Sequence, residues 1–126
     1  MSNSHGTFHW NELMARDIAA AKKFYSDTIG WTYDGMPMPG GQTYWVAKMG
    51  DQPVAGLFDI SGPDYKAVPD GWMPYLAVDD VDARTEKAVA AGARVMKPAF
   101  DVPGVGRIVI LMEPGGAGVG WITPAD

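Results

Sequence analysis

Glu12 has the clearest chemical potential in this chain. It lies in Trp10-Asn11-Glu12-Leu13-Met14, within residues 7–15, which read as a β-strand. Alternation along a strand puts Trp10, Glu12 and Met14 on one face. A carboxylate between an indole and a thioether is partly desolvated. It then holds a proton more tightly than in water and becomes a candidate general acid or base. Two other roles are open to it: recognising a ligand, or bonding Tyr75, a backbone amide or water. Trp10 could serve as a flat wall for a planar molecule or as core packing.

The remaining chemistry-bearing residues are less promising. His9 and Glu12 are three apart, so a regular strand sends them to opposite faces and they cannot chelate one ion. His5 falls in an opening segment expected to be a flexible tail, residues 1–6. Two histidines in such positions assemble no Ser-His-Asp constellation. Gly35 to Gly41 lacks the following Lys-Ser/Thr and helix start of a phosphate cradle. Met36 and Met38 in that stretch could form an adaptable lid or a loose loop. Asp17, Asp80 and Asp82 fit helix caps and first-turn charges better than ligands.

The elements around these residues repeat. After the first strand, Asp17 caps a helix from Ile18 to Thr28 that Gly30 ends. Ile18, Ala21, Phe24, Tyr25 and Ile29 mark its packing side. Strands are expected at 31–34, 43–49 and 53–60, with Gly35–Gly41 as a loop. Residues 61–71 have linker chemistry. The order then recurs: a strand at 72–78, an Asp80-capped helix over 81–91 closed by Gly92, and strands at 94–96, 107–112 and 117–123. Asp17 corresponds to Asp80, Gly30 to Gly92, Met49 to Met112 and Gly56 to Gly120, at offsets of 63, 62, 63 and 64. Near-constant spacing of caps, turns and strand ends marks a duplication. Module one covers about 7–60 and module two about 72–124, in one domain over 7–124. Each helix covers one face of a sheet, and two half-covered sheets facing one another leave a cleft for a ligand.

Composition narrows the partners. The chain has 126 residues and a net charge of −5, which disfavours nucleic acid and anionic membranes. No apolar run is long enough to cross a membrane. The absence of Cys excludes disulfides and thiolate chemistry and suits a reducing compartment. The opening residues lack the basic start and apolar stretch of a secretory signal. A cytoplasmic location is expected.

Trp10-Asn-Glu-Leu-Met-Ala-Arg-Asp17, Ala21-Lys-Lys-Phe24-Tyr25 and Ile29-Gly30-Trp31 resemble the first module of a vicinal oxygen chelate protein. Tyr75-Leu-Ala-Val-Asp-Asp80, Ala91-Gly92 and Glu113-Pro114-Gly115-Gly116 resemble the second. That superfamily contains glyoxalase I, bleomycin resistance proteins and extradiol dioxygenases. The resemblance implies an α+β fold of two tandem βαβββ modules. Its enzymes bind a divalent metal through first-strand and last-strand positions, here Trp10, Met73, Gly56 and Gly120. None of these offers an imidazole or a carboxylate, so no metal and no cofactor are expected. The glycines leave room for a ligand instead.

The expected lining is Trp10, Glu12, Met14 and Phe58 from module one, with Met73, Tyr75 and Ile122 from module two. The leading expectation is a metal-independent protein that binds a small organic molecule. The alternative is a lyase or dioxygenase of the vicinal oxygen chelate type, using Glu12 as its catalytic group or a displaced metal site. A third possibility is an interaction module whose cleft another subunit fills. Many relatives dimerise, and a homodimer is expected.

Overall fold

Asp17 and Asp80 start the two helices that organise the fold. Each carboxylate accepts a hydrogen bond from a backbone N–H three residues on, Ala20 at 3.0 Å and Ala83 at 3.1 Å. Side-chain acceptors of this kind satisfy amides that the first helical turn leaves unpaired. In the computed structural model, which describes residues 4–38 and 40–125, the helices are α1 (Ile18–Ile29) and α2 (Val81–Ala90). Gly30 ends α1 with φ 84°, and Gly92 follows α2 with φ 103°. These are left-handed conformations that favour glycine.

Among the described residues there are eight strands. They are β1 (Phe8–Ala15), β2 (Thr32–Pro37), β3 (Thr43–Met49), β4 (Gln52–Asp59), β5 (Gly71–Ala77), β6 (Arg94–Val102), β7 (Gly106–Met112) and β8 (Gly118–Pro124). The chain divides into two units, residues 10–72 and residues 73–126 together with the segment up to His9. In the first, strand order is β2-β3-β4-β1; in the second it is β6-β7-β8-β5. β1 runs parallel to β4 and β5 parallel to β8, while the other pairs are antiparallel. The tandem βαβββ order and the α+β class expected from the sequence are therefore present.

Each unit packs its helix on one face of its own sheet. In the first, Leu13, Ala15, Ala47, Ala55 and Leu57 form a buried cluster, with Ile18, Ala21 and Tyr25 of α1 against it. In the second, Val81 and Ala88 of α2 join Val78, Val109 and Leu111. Phe24 and Ile29, expected on the packing side of α1, are instead exposed. Phe24 is turned about 100° around the helix from Tyr25, and Ile29 is the last helical residue before the cap.

Two strands run further than the sequence suggests. β2 continues through Gly35 and Met36 to Pro37, opposite Trp45, Tyr44 and Thr43. β6 continues past Met96 to Val102, with register shifts on either side of Lys97. Both are edge strands within their units, where a proline lacking its N–H costs no ladder bond on the outer side. Met36 is thus a strand residue and no part of a loop, and Met38 joins a turn by donating its N–H to Gln42 O at 2.8 Å. Pro39 and residues 1–3 of the expected tail lie outside the described residues. Gly6 donates its N–H to Ala77 O at 2.7 Å, and His5 Nδ1 accepts from the Asp79 N–H at 2.9 Å.

Candidate functional site

Leu13 and Ala15 point into the α1 core, so Trp10, Glu12 and Met14 occupy the opposite face of the first unit's sheet. Strand register assembles their neighbours. Glu12 lies beside Gly56, Gly56 beside Val46, and Val46 beside Asp34, making one row across four strands. The adjoining row holds Met36 opposite Tyr44 and Met14 opposite Phe58. Trp10, Glu12, Met14, Tyr44 and Phe58 are all half-buried.

Tyr44 ties this face together. The Trp10 indole donates Nε1–H to Tyr44 Oη at 3.0 Å, and Tyr44 donates its hydroxyl to Glu12 Oε1 at 2.9 Å. One phenol thereby accepts from an indole and donates to a carboxylate. Burial holds the Tyr44 hydroxyl far above the usual tyrosine range, and the nearby Glu12 charge pushes it higher still. Tyr44 therefore keeps its proton and serves as a fixed donor.

Gly56 makes the arrangement possible. A Cβ at Gly56 would collide with the Tyr44 hydroxyl and ring carbons. In the second unit a Cβ at Gly120 would collide with the ring of Tyr75, which stands beside it across the parallel β5/β8 register, where the first unit has Glu12 beside Gly56. In both units a tyrosine fills the space over the glycine.

These residues do not fit a divalent metal. At Trp10, Gly56, Met73 and Gly120 no side chain offers a hard or borderline donor. The volume where a side chain at Gly56 would project belongs to Tyr44. Among the described residues, no three His, Asp or Glu side chains gather into a possible metal site.

The other expected lining residues fall as follows. Phe58 meets the Tyr65 ring edge-on, with centroids 5.5 Å apart and planes at 89°. Tyr65 belongs to a segment pinned by Arg16. The Arg16 guanidinium donates to Asp70 Oδ1 at 2.6 Å and to the carbonyls of Tyr65 and Val68 at 2.8 and 2.6 Å. In the second unit Met73, Tyr75 and Ile122 share the face away from α2, and all three are buried. His9 is exposed on the strand face opposite Glu12. Sequence reasoning missed Tyr44 and Arg16. Tyr44 was visible only as an alternating residue of β3, and its reach to Glu12 depends on a register that alternation does not supply.

The sequence model described as the Glyoxalase/Bleomycin resistance protein/Dioxygenase superfamily matches residues 7–120. The chain belongs to this superfamily. CFP32 of Mycobacterium tuberculosis, named as a candidate glyoxylase, is 42% identical over 116 residues, covering 91% of this chain and 44% of CFP32. The anthracycline biosynthesis protein DnrV of Streptomyces peucetius is 32% identical over 119 residues, covering 86% of this chain and 43% of DnrV. The chain thus spans less than half the length of these curated relatives.

Among solved structures, a methylmalonyl-CoA epimerase of Streptomyces coelicolor, in complex with 2-nitronate-propionyl-CoA, aligns with a TM-score of 0.70 at 20% identity. The alignment covers 98% of this chain and 100% of the epimerase. The hypothetical protein BH1468 of Bacillus halodurans aligns with a TM-score of 0.71 at 11% identity, covering 96% of each chain. At such identities the likeness establishes the superfamily fold and nothing of the reaction.

Proposed function

We propose that this superfamily member binds a small, largely apolar organic molecule without a metal, on the face carrying Trp10, Glu12, Met14 and Phe58. The Trp10–Tyr44–Glu12 hydrogen-bond chain over Gly56 is the observation that carries the reading. It installs an aromatic wall, a fixed phenol and an oriented carboxylate where the superfamily's enzymes place an ion. A mostly apolar surface with a few convergent polar groups is what a small-molecule site requires.

A thermal-shift screen tests this reading. Aromatic organic compounds should raise the melting temperature, and Zn²⁺, Ni²⁺, Mn²⁺ and Fe²⁺ should not. Stabilisation by a divalent ion and by no organic compound would overturn it.

The Tyr44–Glu12 contact favours a second reading, in which Glu12 is a general acid or base in a lyase or dioxygenase. A positioned carboxylate within hydrogen-bond reach of a reacting proton can transfer it. Turnover of a methylglyoxal–thiol adduct or a catechol that disappears in Glu12→Gln would select this reading over simple binding.

We also propose a cytoplasmic homodimer. The cysteine-free composition supports the location, and the exposed Phe24, Ile29, Met49 and Trp72 supply apolar surface that a second copy could cover. Among the described residues, no helix is long and apolar enough to cross a membrane. Light scattering at twice the monomer mass is the expected result, and a monomeric mass would exclude the dimer.

A further inference from the structure

We infer that the first unit carries a second binding site, on the α1 side of its sheet. It is a groove for an uncharged, planar heteroaromatic molecule with an N–H beside a C=O on its edge. It lies on the opposite face from Trp10, Glu12 and Met14 and does not depend on the site proposed there.

The groove has a volume of about 370 Å³ and is lined by Asn11, Trp31, Val54, Ala55 and Trp72. Its floor comes from an irregularity in β4. Ala47 pairs with Ala55 and Lys48 with Pro53, which leaves Val54 as an extra residue without a partner. A bulge of this kind re-aims side chains, and Val54 packs against the α1-side cluster to which Ala55 belongs. Two consecutive apolar residues thereby serve one face.

The walls are two indoles. The Trp31 and Trp72 rings lie 6.0 Å apart between centroids, with planes at 82°, and form a corner of flat surfaces. Helix α1 holds both. The Tyr25 ring stacks on Trp31 at 4.8 Å, and the Ser26 hydroxyl donates to Trp31 O at 2.8 Å. Trp72 donates Nε1–H to Tyr25 Oη at 3.2 Å. A corner fixed in advance loses little freedom on binding, and a flat aromatic ring is the shape that packs on it.

Polarity selects among flat rings. None of the five lining side chains carries a charge, so an ion would leave water for no partner. Asn11 is exposed, and among the described residues no hydrogen bond engages its amide. A primary amide donates through its nitrogen and accepts through its oxygen in one plane. An N–H next to a C=O on the edge of a ring matches that pair.

The test uses isoquinolinone, an uncharged bicyclic lactam, and its N-methyl derivative, which lacks the N–H. Binding to the native chain is followed through the indole N–H resonances of Trp31 and Trp72, with Trp10 reporting on the opposite face. Isoquinolinone should shift Trp31 and Trp72 and leave Trp10 in place. The N-methyl derivative should bind about fivefold more weakly, the effect of one lost hydrogen bond. In Asn11→Ala the two probes should bind alike, with both indoles still responding; the retained resonances show that this variant is folded.

Shifts confined to Trp10 would overturn the inference by placing the probe on the Glu12 face, and the absence of any shift would overturn it too. So would equal binding of the two probes by the native chain, or a preference for the lactam that survives Asn11→Ala. Trp72 also belongs to the apolar surface offered above to a second copy, so the titration is repeated at rising protein concentration. Affinity lost as the chain associates would assign the corner to a subunit contact and overturn the ligand site.

Discussion

The hydroxyl of Tyr44 lies where a side chain at Gly56 would have to project. The two residues sit on neighbouring antiparallel strands, and the glycine of one makes room for the phenol of the other. In the second unit Gly120 gives its space to a tyrosine as well, but that tyrosine, Tyr75, comes from the parallel strand β5 at the position Glu12 holds in the first unit.

Gly56→Ala should therefore displace Tyr44 and break its bonds to Trp10 and Glu12. The expected loss is about 1–3 kcal/mol, the range for forcing a methyl into a packed space. Tyr44→Ala should remove the clash, so Gly56→Ala should cost far less in the Tyr44→Ala background. Urea unfolding of the two single variants and the double variant measures the coupling. Additive losses would mean that Gly56 and Tyr44 do not compete for the same space.

Tyr44 also sets an alkaline limit on stability. Its hydroxyl titrates higher in the folded chain than the roughly 10 of an unfolded tyrosine, because burial and Glu12 oppose the phenolate. Below about pH 10 both states keep the proton and the contribution is fully present. Above it the unfolded state ionises first, so stability falls as pH rises. Tyr33 is raised too, first by burial and then by Tyr25. Tyrosinate absorbance should show Tyr44 ionising only with unfolding, and the alkaline midpoint should move in Tyr44→Phe.

At the acid end Asp79 is the informative group. Arg84 donates to both of its oxygens, at 2.8 and 2.9 Å, and pulls its carboxyl down to about 2. A depressed pKa supports the fold above the unfolded value near 3.9. That support is lost as pH falls from there through 2. Carbon-detected NMR titration should find Asp79 titrating near 2 in the native chain and returning towards the ordinary range in Arg84→Ala. An unchanged Asp79 would show that the paired geometry does not persist in solution.

Arg16 should behave as a clasp for residues 61–71. Its guanidinium reaches Asp70 and three backbone carbonyls, those of Tyr65, Lys66 and Val68. Lys has no planar fork and cannot reproduce such a pattern. Arg16→Lys should accelerate amide exchange across 61–71 and loosen the Tyr65 edge against Phe58, with little change elsewhere. Equal acceleration throughout the first unit would instead mark a global loss of stability.

Caps, turns and repeats were legible in the sequence because they depend on local chemistry. Asp17, Asp80, Gly30 and Gly92 announce helix ends through their own side chains or lack of them. The extent of β2 and β6 was less legible. Gly35, Pro37 and Pro98 carry loop chemistry, and only their edge positions make them compatible with strands. Alternation was enough to group Trp10, Glu12 and Met14. Tyr44 escaped because its role rests on register between β3, β4 and β1, a long-range property with no local signature. Gly56 was read as open space for a ligand. In the structure a phenol fills that space, which changes the site from a void into a hydrogen-bonded centre.

The most direct test of that centre is elemental analysis after dialysis of the native chain against Zn²⁺, Ni²⁺, Mn²⁺ and Fe²⁺ in turn. A face built on Tyr44 over Gly56 predicts bound metal well below one equivalent per chain. One equivalent held by the native chain and lost in Glu12→Gln would contradict it.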